Sequence, residues 1–161
     1  MDDTDIVARL AALGFTLPPA APPQFVYVPV VLHQGIAYVS GQIPKQGDDV
    51  LYTGKVGAEV SQEAAMAAAE LCVLNALSQL RLVLGSLARI ERVLKLTGFV
   101  ASAPGFNAQP KVIDAASTLL GQVLGESGRH ARSAIGVAEL PRNVPVEIEM
   151  TLAIRTSLSF T

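Results

Sequence analysis

Two residues near the C-terminal end carry side chains suited to binding and processing a small anion. Arg132 stands at the start of a β-rich segment, and a guanidinium can bind a carboxylate through two parallel hydrogen bonds. Glu147 lies on an otherwise apolar segment, where a carboxylate needs a partner or a wet cavity. Each also has an ordinary explanation, because arginines at strand ends are commonly solvated and glutamates form surface or interface salt bridges.

The other groups capable of chemistry are isolated in the sequence. His33 is expected to be exposed in a hairpin turn and His130 to be structural, and neither has another ligand at metal-binding spacing. Ser40 has no histidine and acid arranged to activate it, whereas Gly41 after it allows a ligand or backbone to approach closely. No metal is predicted, and because no glycine pattern is typical of phosphate binding, no nucleotide cofactor is predicted either.

The elements that must position these residues follow the order β-β-α-β-α-β-β. The predicted strands cover residues 25–32, 36–42, 91–101, 133–138 and 146–155, and a polar loop follows the second of them. The first helix is predicted to start after a Ser61 cap and to end at Gly85; the second begins near Pro110 and ends at Gly125. This order predicts an α+β fold with two helices on one face of a mixed sheet.

The last strand indicates what covers the sheet. Its apolar side chains alternate, which places Glu147 and Glu149 together on the opposite face, with Thr151 and Ala153. Two helices can cover only one face, so the other is expected to pack against a partner subunit. The composition agrees, because 50% of the residues are hydrophobic and only 16% are charged.

A leader precedes this domain. Asp3 or Thr4 is predicted to cap a short helix that Gly14 ends, and residues 17–23 contain four prolines that favour an extended connector. We therefore divide the chain into a leader at 1–24 and one folded domain at 25–161.

Several classes of function are disfavoured by the composition. A net charge of −2 gives no basic surface for nucleic acid, and Glu70, Asn75, Gln79 and Arg81 interrupt the longest apolar stretch, which argues against a membrane span. Cys72 is the single cysteine, so we interpret it as a small buried residue inside a helix. The acidic N-terminus lacks the features of a secretion signal, and a cytoplasmic location is expected.

Taken together, these residues resemble the RidA/YjgF family, also labelled endoribonuclease L-PSP, over roughly residues 25–154. The matching features are Tyr27, YVSGQIP at 38–44, RSAIGVAELP at 132–141 and VEIEM at 146–150. The leader helix makes the chain similar to a longer subgroup of that family. The resemblance implies a chorismate-mutase-like fold that assembles as a homotrimer with clefts between subunits.

The resemblance also implies an activity and its residues. Arg132 would bind the carboxylate of a small 2-imino or 2-enamino acid, and Glu147 would position the hydrolytic water. Tyr27 from a neighbouring chain, Ser40, and the backbone at Gly41 and Ala134 would line the cleft. The products would be a 2-keto acid and ammonia.

Two departures from the family pattern keep alternatives open. Ala134 replaces a cysteine and Gly136 replaces an acidic residue that are common in the family motif. A non-catalytic trimer that binds small carboxylate metabolites is therefore a second hypothesis. Ribonuclease action, suggested by the family's older label, is a third that the acidic charge balance disfavours.

Overall fold

The computed structural model describes residues 2–22 and 25–155, and within them the chain forms an α+β fold, as the sequence predicts. Three α-helices and seven strands occur in this part of the chain. In chain order they are α1 (Asp3–Ala12), β1 (Val30–His33), β2 (Ile36–Gln42), β3 (Lys45–Gln46), β4 (Asp49–Val50), α2 (Gln62–Leu84), β5 (Ile90–Ala101), α3 (Gln109–Leu124), β6 (Ala131–Val137) and β7 (Val146–Ile154).

Five strands form one mixed sheet in the order β1-β2-β7-β5-β6. Neighbours are antiparallel except β5 and β6, which run parallel because α3 provides the crossover between them. The segment predicted as a polar loop after β2 contains a separate small hairpin, β3 and β4, which pairs Lys45 with Val50. Strands of two residues carry too little pattern to be recognised in a sequence.

Local chemistry explains most element boundaries. Ser61 accepts a hydrogen bond from the Ala64 amide at 3.1 Å, and Gly85 ends α2 in the left-handed conformation, both as predicted. The predicted cap of α1 is wrong by one or two residues. Asp2 is the cap, because it accepts from the Asp5 amide while Asp5 accepts from Asp2 in return.

The first strand begins later than its sequence suggests. Residues 25–29 are outside it, and β1 starts at Val30, directly after Pro29, at an edge of the sheet. Proline has no amide to donate, so it is tolerated at a strand start or edge. Gln34 and Gly35 form the two-residue turn to β2 with positive φ values of 47° and 77°.

Both long helices pack against one face of the sheet. The residues buried beneath them on β7 are Val146, Ile148, Met150, Leu152 and Ile154. Helix α2 is long and apolar enough to cross a membrane by composition alone, but 72% of its most apolar window is buried in the fold, as in a core helix. Cys72 lies inside this helix and is fully buried, which raises the pKa of its thiol.

In the described part of the chain, no helix covers the other face of the sheet. Val31 and Tyr38 pair there and are about half exposed, and Ile135 on β6 is 45% exposed on the same side. Thr151 lies opposite Tyr38. We call this the open face. It is the face that the sequence analysis expects to pack against a partner subunit.

Candidate active site

A cavity of about 460 Å³ lies at the end of β2. It brings together four of the six residues singled out in the sequence: Tyr27, Ser40, Gly41 and Glu147. Tyr27 lines the cavity from the same chain, whereas the family resemblance implied that it would come from a neighbouring chain. The rest of the lining is Ala21, Pro22, Phe25, Pro29, Gln42, Ile43, Lys45, Gln79, Pro141 and Arg142. Proline, aromatic and aliphatic side chains thus surround a few polar groups, the usual composition of a small-molecule site.

A β-bulge positions the carboxylate in this cavity. The pairing of β2 with β7 shifts between Val39 and Gln42, so β2 has one extra residue at this point. The bulge brings Gly41 against Glu147, and a Cβ on Gly41 would overlap a Glu147 carboxylate oxygen. Glycine therefore makes room for the acid, which agrees with the close approach expected at this position.

The bulge is fixed by a buried amide. The side chain of Gln42 donates to the Ser40 carbonyl at 3.1 Å and is 3.2 Å from the Ser40 hydroxyl oxygen. Gln42 is only 8% exposed, so these contacts satisfy a group that would otherwise be costly to bury. The local backbone and the serine hydroxyl are held in one arrangement.

Two further amides on α2 hold opposite walls of the cavity. Asn75 donates to the carbonyls of Ile43 and Lys45 at 2.9 and 3.0 Å, and Gln79 donates to the carbonyl of Ala21 at 2.6 Å. The sequence analysis noted both residues only as interruptions of an apolar stretch. Their spacing of four places them on one side of the helix, and that polar pair is the signal that could have identified them.

The electrostatic setting of Glu147 favours its protonated form. Burial raises the pKa of this carboxyl group, and repulsion from Glu149 raises it further. No salt bridge joins Glu147 to a cation within the residues the structure describes. A carboxyl group whose pKa is raised holds a proton more readily than an ordinary one, which suits it to proton exchange with a ligand.

Lys45 and Arg142 also line the cavity, and the sequence analysis did not select either residue. Arg142 has a left-handed backbone with φ 57°, and its Nη2 donates to the Asp48 carbonyl at 2.8 Å. Both cations come from short loop-like segments that are brought to the cavity by tertiary packing. No sequence pattern marks them.

Arg132 and Ala134 lie outside this cavity, on the edge strand β6. Arg132 pairs with Leu96, which is buried beneath the helices, whereas Glu147 alternates with the buried residues of β7. The two side chains predicted to act together therefore leave the sheet on opposite faces of one chain. Within a single copy the structure does not bring them together.

Arg132 lines a separate crevice of about 300 Å³ with residues of α3. Its Nη1 donates to Asp114 at 2.6 Å and to the Ser117 hydroxyl at 3.1 Å. Nε and Nη2 make no hydrogen bond to the residues that the structure describes. This free edge of the guanidinium is the one that could receive a carboxylate.

His130 supports this arrangement. Its Nδ1 is 2.6 Å from the Gly128 carbonyl, so that nitrogen carries the proton and donates, and Nε2 then accepts from the Ser117 hydroxyl at 3.0 Å. His130 therefore orients Ser117, which in turn contacts Arg132. His33 is exposed, and the described ranges contain no cluster of three potential metal ligands.

Comparison with known proteins places this geometry in context. Residues 7–150 match a family model described as "YjgF/chorismate mutase-like, putative endoribonuclease". Protein TCP17 of Trypanosoma cruzi is 43% identical over 145 residues, covering 89% of this chain and 91% of that protein.

Solved structures of other proteins have the same fold. Atu1372 of Agrobacterium tumefaciens, described as having unknown function, has a TM-score of 0.90 and 47% identity, covering 95% of this chain and 94% of that one. A protein of Shewanella oneidensis described as "a putative endoribonuclease" has a TM-score of 0.89 and 32% identity, with coverages of 92% of this chain and 99% of that one. RidA from a Psychrobacter species, at 24% identity and a TM-score of 0.59 over 84% of this chain and 94% of its own, shares the fold.

Proposed function

We propose that this chain, which belongs to the RidA/YjgF family, hydrolyses 2-imino or 2-enamino acids to 2-keto acids and ammonia. The observation that carries the proposal is the cavity in which Glu147, with its raised pKa, lies against Gly41 beside Ser40 and Tyr27. This reaction requires a positioned acid, an apolar cavity around the substrate, and a guanidinium with N–H groups free to bind a carboxylate.

The reaction requires one group that transfers protons and one group that binds the substrate carboxylate. An enamine first gains a proton at carbon and loses one from nitrogen to become the imine. Glu147 then takes a proton from water as the water oxygen bonds to the C=N carbon, and passes it to nitrogen to give a carbinolamine. The hydroxyl proton of this intermediate is next transferred to nitrogen, and the C–N bond breaks to release ammonia as the C=O bond of the keto acid forms. Because the imine is already reactive, orientation and proton transfer supply most of the acceleration.

In this proposal, Arg132 of a second copy binds the substrate carboxylate. Arg132 and Glu147 leave opposite faces of the sheet, so one chain alone cannot hold a small substrate between them. The open face offers Val31, Tyr38 and Ile135 for burial against a partner. A homotrimer that places Arg132 of one copy at the Glu147 cavity of the next would complete three equivalent sites.

The direct test is a coupled assay. A serine or threonine dehydratase generates the 2-imino acid, and release of the keto acid is followed with and without this protein. We expect acceleration in the wild type and a loss of about 100-fold or more in Glu147→Gln, as is typical for removal of a general acid-base group. Arg132→Ala should lose activity mainly through weaker substrate binding.

Matched controls are available on β5. Glu91→Gln removes an exposed acid and Arg92→Ala removes an exposed arginine, and both residues lie outside the two cavities. Both should retain activity within a few-fold. Wild-type protein that gives no acceleration, or Arg132→Ala that matches it, would contradict the proposal.

A second function is favoured by one contact. Arg132 is already ion-paired with Asp114, and Ala134 and Gly136 depart from the family pattern, which would suit a trimer that binds a carboxylate metabolite without turnover. Thermal shift with 2-ketobutyrate, serine and benzoate separates the two functions, since a ligand that binds only the native state raises its stability. Stabilisation without turnover supports the binding protein.

A further inference from the structure

We infer that the cavity contains a second anion subsite formed by Lys45 and Arg142, and that the preferred substrate is a 2-imino acid carrying a second acidic group. This inference rests on the proposed function, because it names the substrate class of the same site. It adds two residues to which neither the family resemblance nor the comparisons give a role.

The first observation is charge without a partner. The salt bridges of the described residues are Lys55–Glu139, Arg81–Asp3, Arg129–Glu126 and Arg132–Asp114, and they include neither Lys45 nor Arg142. Glu147 is the one carboxylate among the residues that line the cavity, and its pKa is raised by burial and by Glu149. The cations therefore do not serve to neutralise Glu147.

The second observation is that both residues are held in place. Arg142 adopts φ 57° and Asn143 φ 58°, a left-handed conformation that costs free energy in non-glycine residues and recurs at functional sites. The Arg142 guanidinium is fixed by the Asp48 carbonyl through Nη2. The backbone of Lys45 is fixed by Asn75, a buried residue of α2.

The third observation is size. A cavity of about 460 Å³ lies in the range of roughly 300–1,000 Å³ that accommodates drug-sized ligands. The imine of a three-carbon acid would occupy a small part of it. A longer substrate would extend past the apolar side chains of Ile43 and Pro141 to reach the two cations.

The ligand class follows from these three points. One carboxylate, next to the imine carbon, would bind Arg132 of the neighbouring copy while Glu147 acts on the imine. A second carboxylate or a phosphonate, separated by a short aliphatic chain, would bind Lys45 and Arg142. Guanidinium and ammonium groups bind either anion, so the experiment must distinguish the two.

Binding of product analogues tests the inference without requiring turnover. Calorimetry compares 2-oxoglutarate, 2-oxo-4-phosphonobutyrate and 4-methyl-2-oxopentanoate, the last of which has a similar size but one charge. We expect the dianions to bind about tenfold or more tightly than the monoanion, the effect of one charge-assisted hydrogen bond. The tighter of the two dianions identifies the second acidic group.

Variants locate the effect. Lys45→Gln removes one charge, and Arg142→Asn removes the other while keeping a residue that tolerates positive φ. Each should bring the dianion affinity towards that of the monoanion and leave the monoanion affinity unchanged. Arg92→Gln, an exposed cation on β5 outside the cavity, should change neither.

Several results would overturn the inference. They are equal affinity for the dianions and the monoanion in the wild type, binding of none of the three, or unchanged preference in both cavity variants. Thermal unfolding of each variant shows whether it is folded, and the two variants change different segments. Failure of the deaminase itself is seen separately, as absence of imine turnover while the binding preference is retained.

Discussion

At the scale of single residues, Glu147 combines a functional advantage with a cost in stability. Its carboxylate is half-buried against Gly41, has no salt bridge among the described residues and lies on the same strand face as Glu149. Burying a charge without a partner disfavours the charged form, which is why its pKa is raised. An acid retained under such conditions indicates a role other than packing.

The first prediction concerns Glu147→Gln and pH. A carboxyl group whose pKa is raised by folding binds protons more readily in the native state, so its contribution to stability falls as pH rises above the ordinary value of 4.5. We expect the variant to be more stable than the wild type at pH 7, by less than about 1 kcal/mol because solvent screens this partly exposed group. Differential scanning fluorimetry at several pH values measures this difference.

The difference should shrink as the pH falls towards 4.5 and be absent below that value, where the wild-type carboxyl group is protonated in both states. Glu91→Gln, which removes an exposed acid from β5, is the control for loss of a carboxylate. A variant that is less stable than the wild type at pH 7 would show that Glu147 makes a stabilising contact. In that case, its raised pKa would no longer indicate an energetic cost.

At the scale of elements, α2 does more than cover the sheet. It is a buried helix that carries Asn75 and Gln79 one turn apart, and through them it fixes the loop after β2 and the leader segment at Ala21. These are side chain to backbone contacts across about 30 and 58 residues of sequence. The helix therefore shapes the cavity as well as the core.

The second prediction tests this role with Asn75→Leu. The substitution leaves the carbonyls of Ile43 and Lys45 without their donor, and each unsatisfied buried group has a cost. We expect a loss of about 1–3 kcal/mol in the free energy of unfolding, measured in urea. Binding of dianionic keto acids should weaken too, because Lys45 loses its anchor.

Ser78→Ala is the control for this prediction. Ser78 is buried on the same helix, but its hydroxyl donates to Leu74 one turn earlier, where a carbonyl already takes part in the helix. Its loss should cost under about 1 kcal/mol and leave ligand affinity unchanged. Equal effects of the two substitutions would contradict a special role for Asn75.

At the scale of the whole molecule, the two faces of the sheet are unequal. One is buried beneath α2 and α3, and the open face presents Val31, Tyr38 and Ile135 to solvent in a single copy. Such a surface is typical of a chain that packs against copies of itself. If Arg132 and Glu147 act on one substrate, as proposed, their separation within one copy requires the same assembly.

The third prediction places a charge on this face. Tyr38→Glu would bury a carboxylate against an apolar partner surface, and we expect it to yield monomers in light scattering with loss of deaminase activity. Gln122→Glu adds the same charge to the exposed side of α3 and should leave mass and activity unchanged. A Tyr38→Glu protein of undiminished mass would show that assembly does not use the open face.

Much of the architecture could be predicted because its causes are local. The alternation on β7, the Ser61 cap, the glycine at the end of α2 and the edge position imposed by Pro29 are each decided by a few adjacent residues. The family resemblance then selected Tyr27, Ser40, Gly41 and Glu147, and the fold brings these four to one cavity. Their catalytic roles stay a prediction.

Tertiary structure decided the rest, for a physical reason. The sequence by itself determined the two long helices and, apart from the start of β1, the five strands of the main sheet, since hydrophobic period and capping act over a single turn or strand. It did not determine that a bulge brings Gly41 against Glu147, that Arg132 leaves the opposite face, or that Lys45 and Arg142 share a cavity with Glu147. Those arrangements depend on strand register and on contacts between distant segments, which only the packed chain specifies.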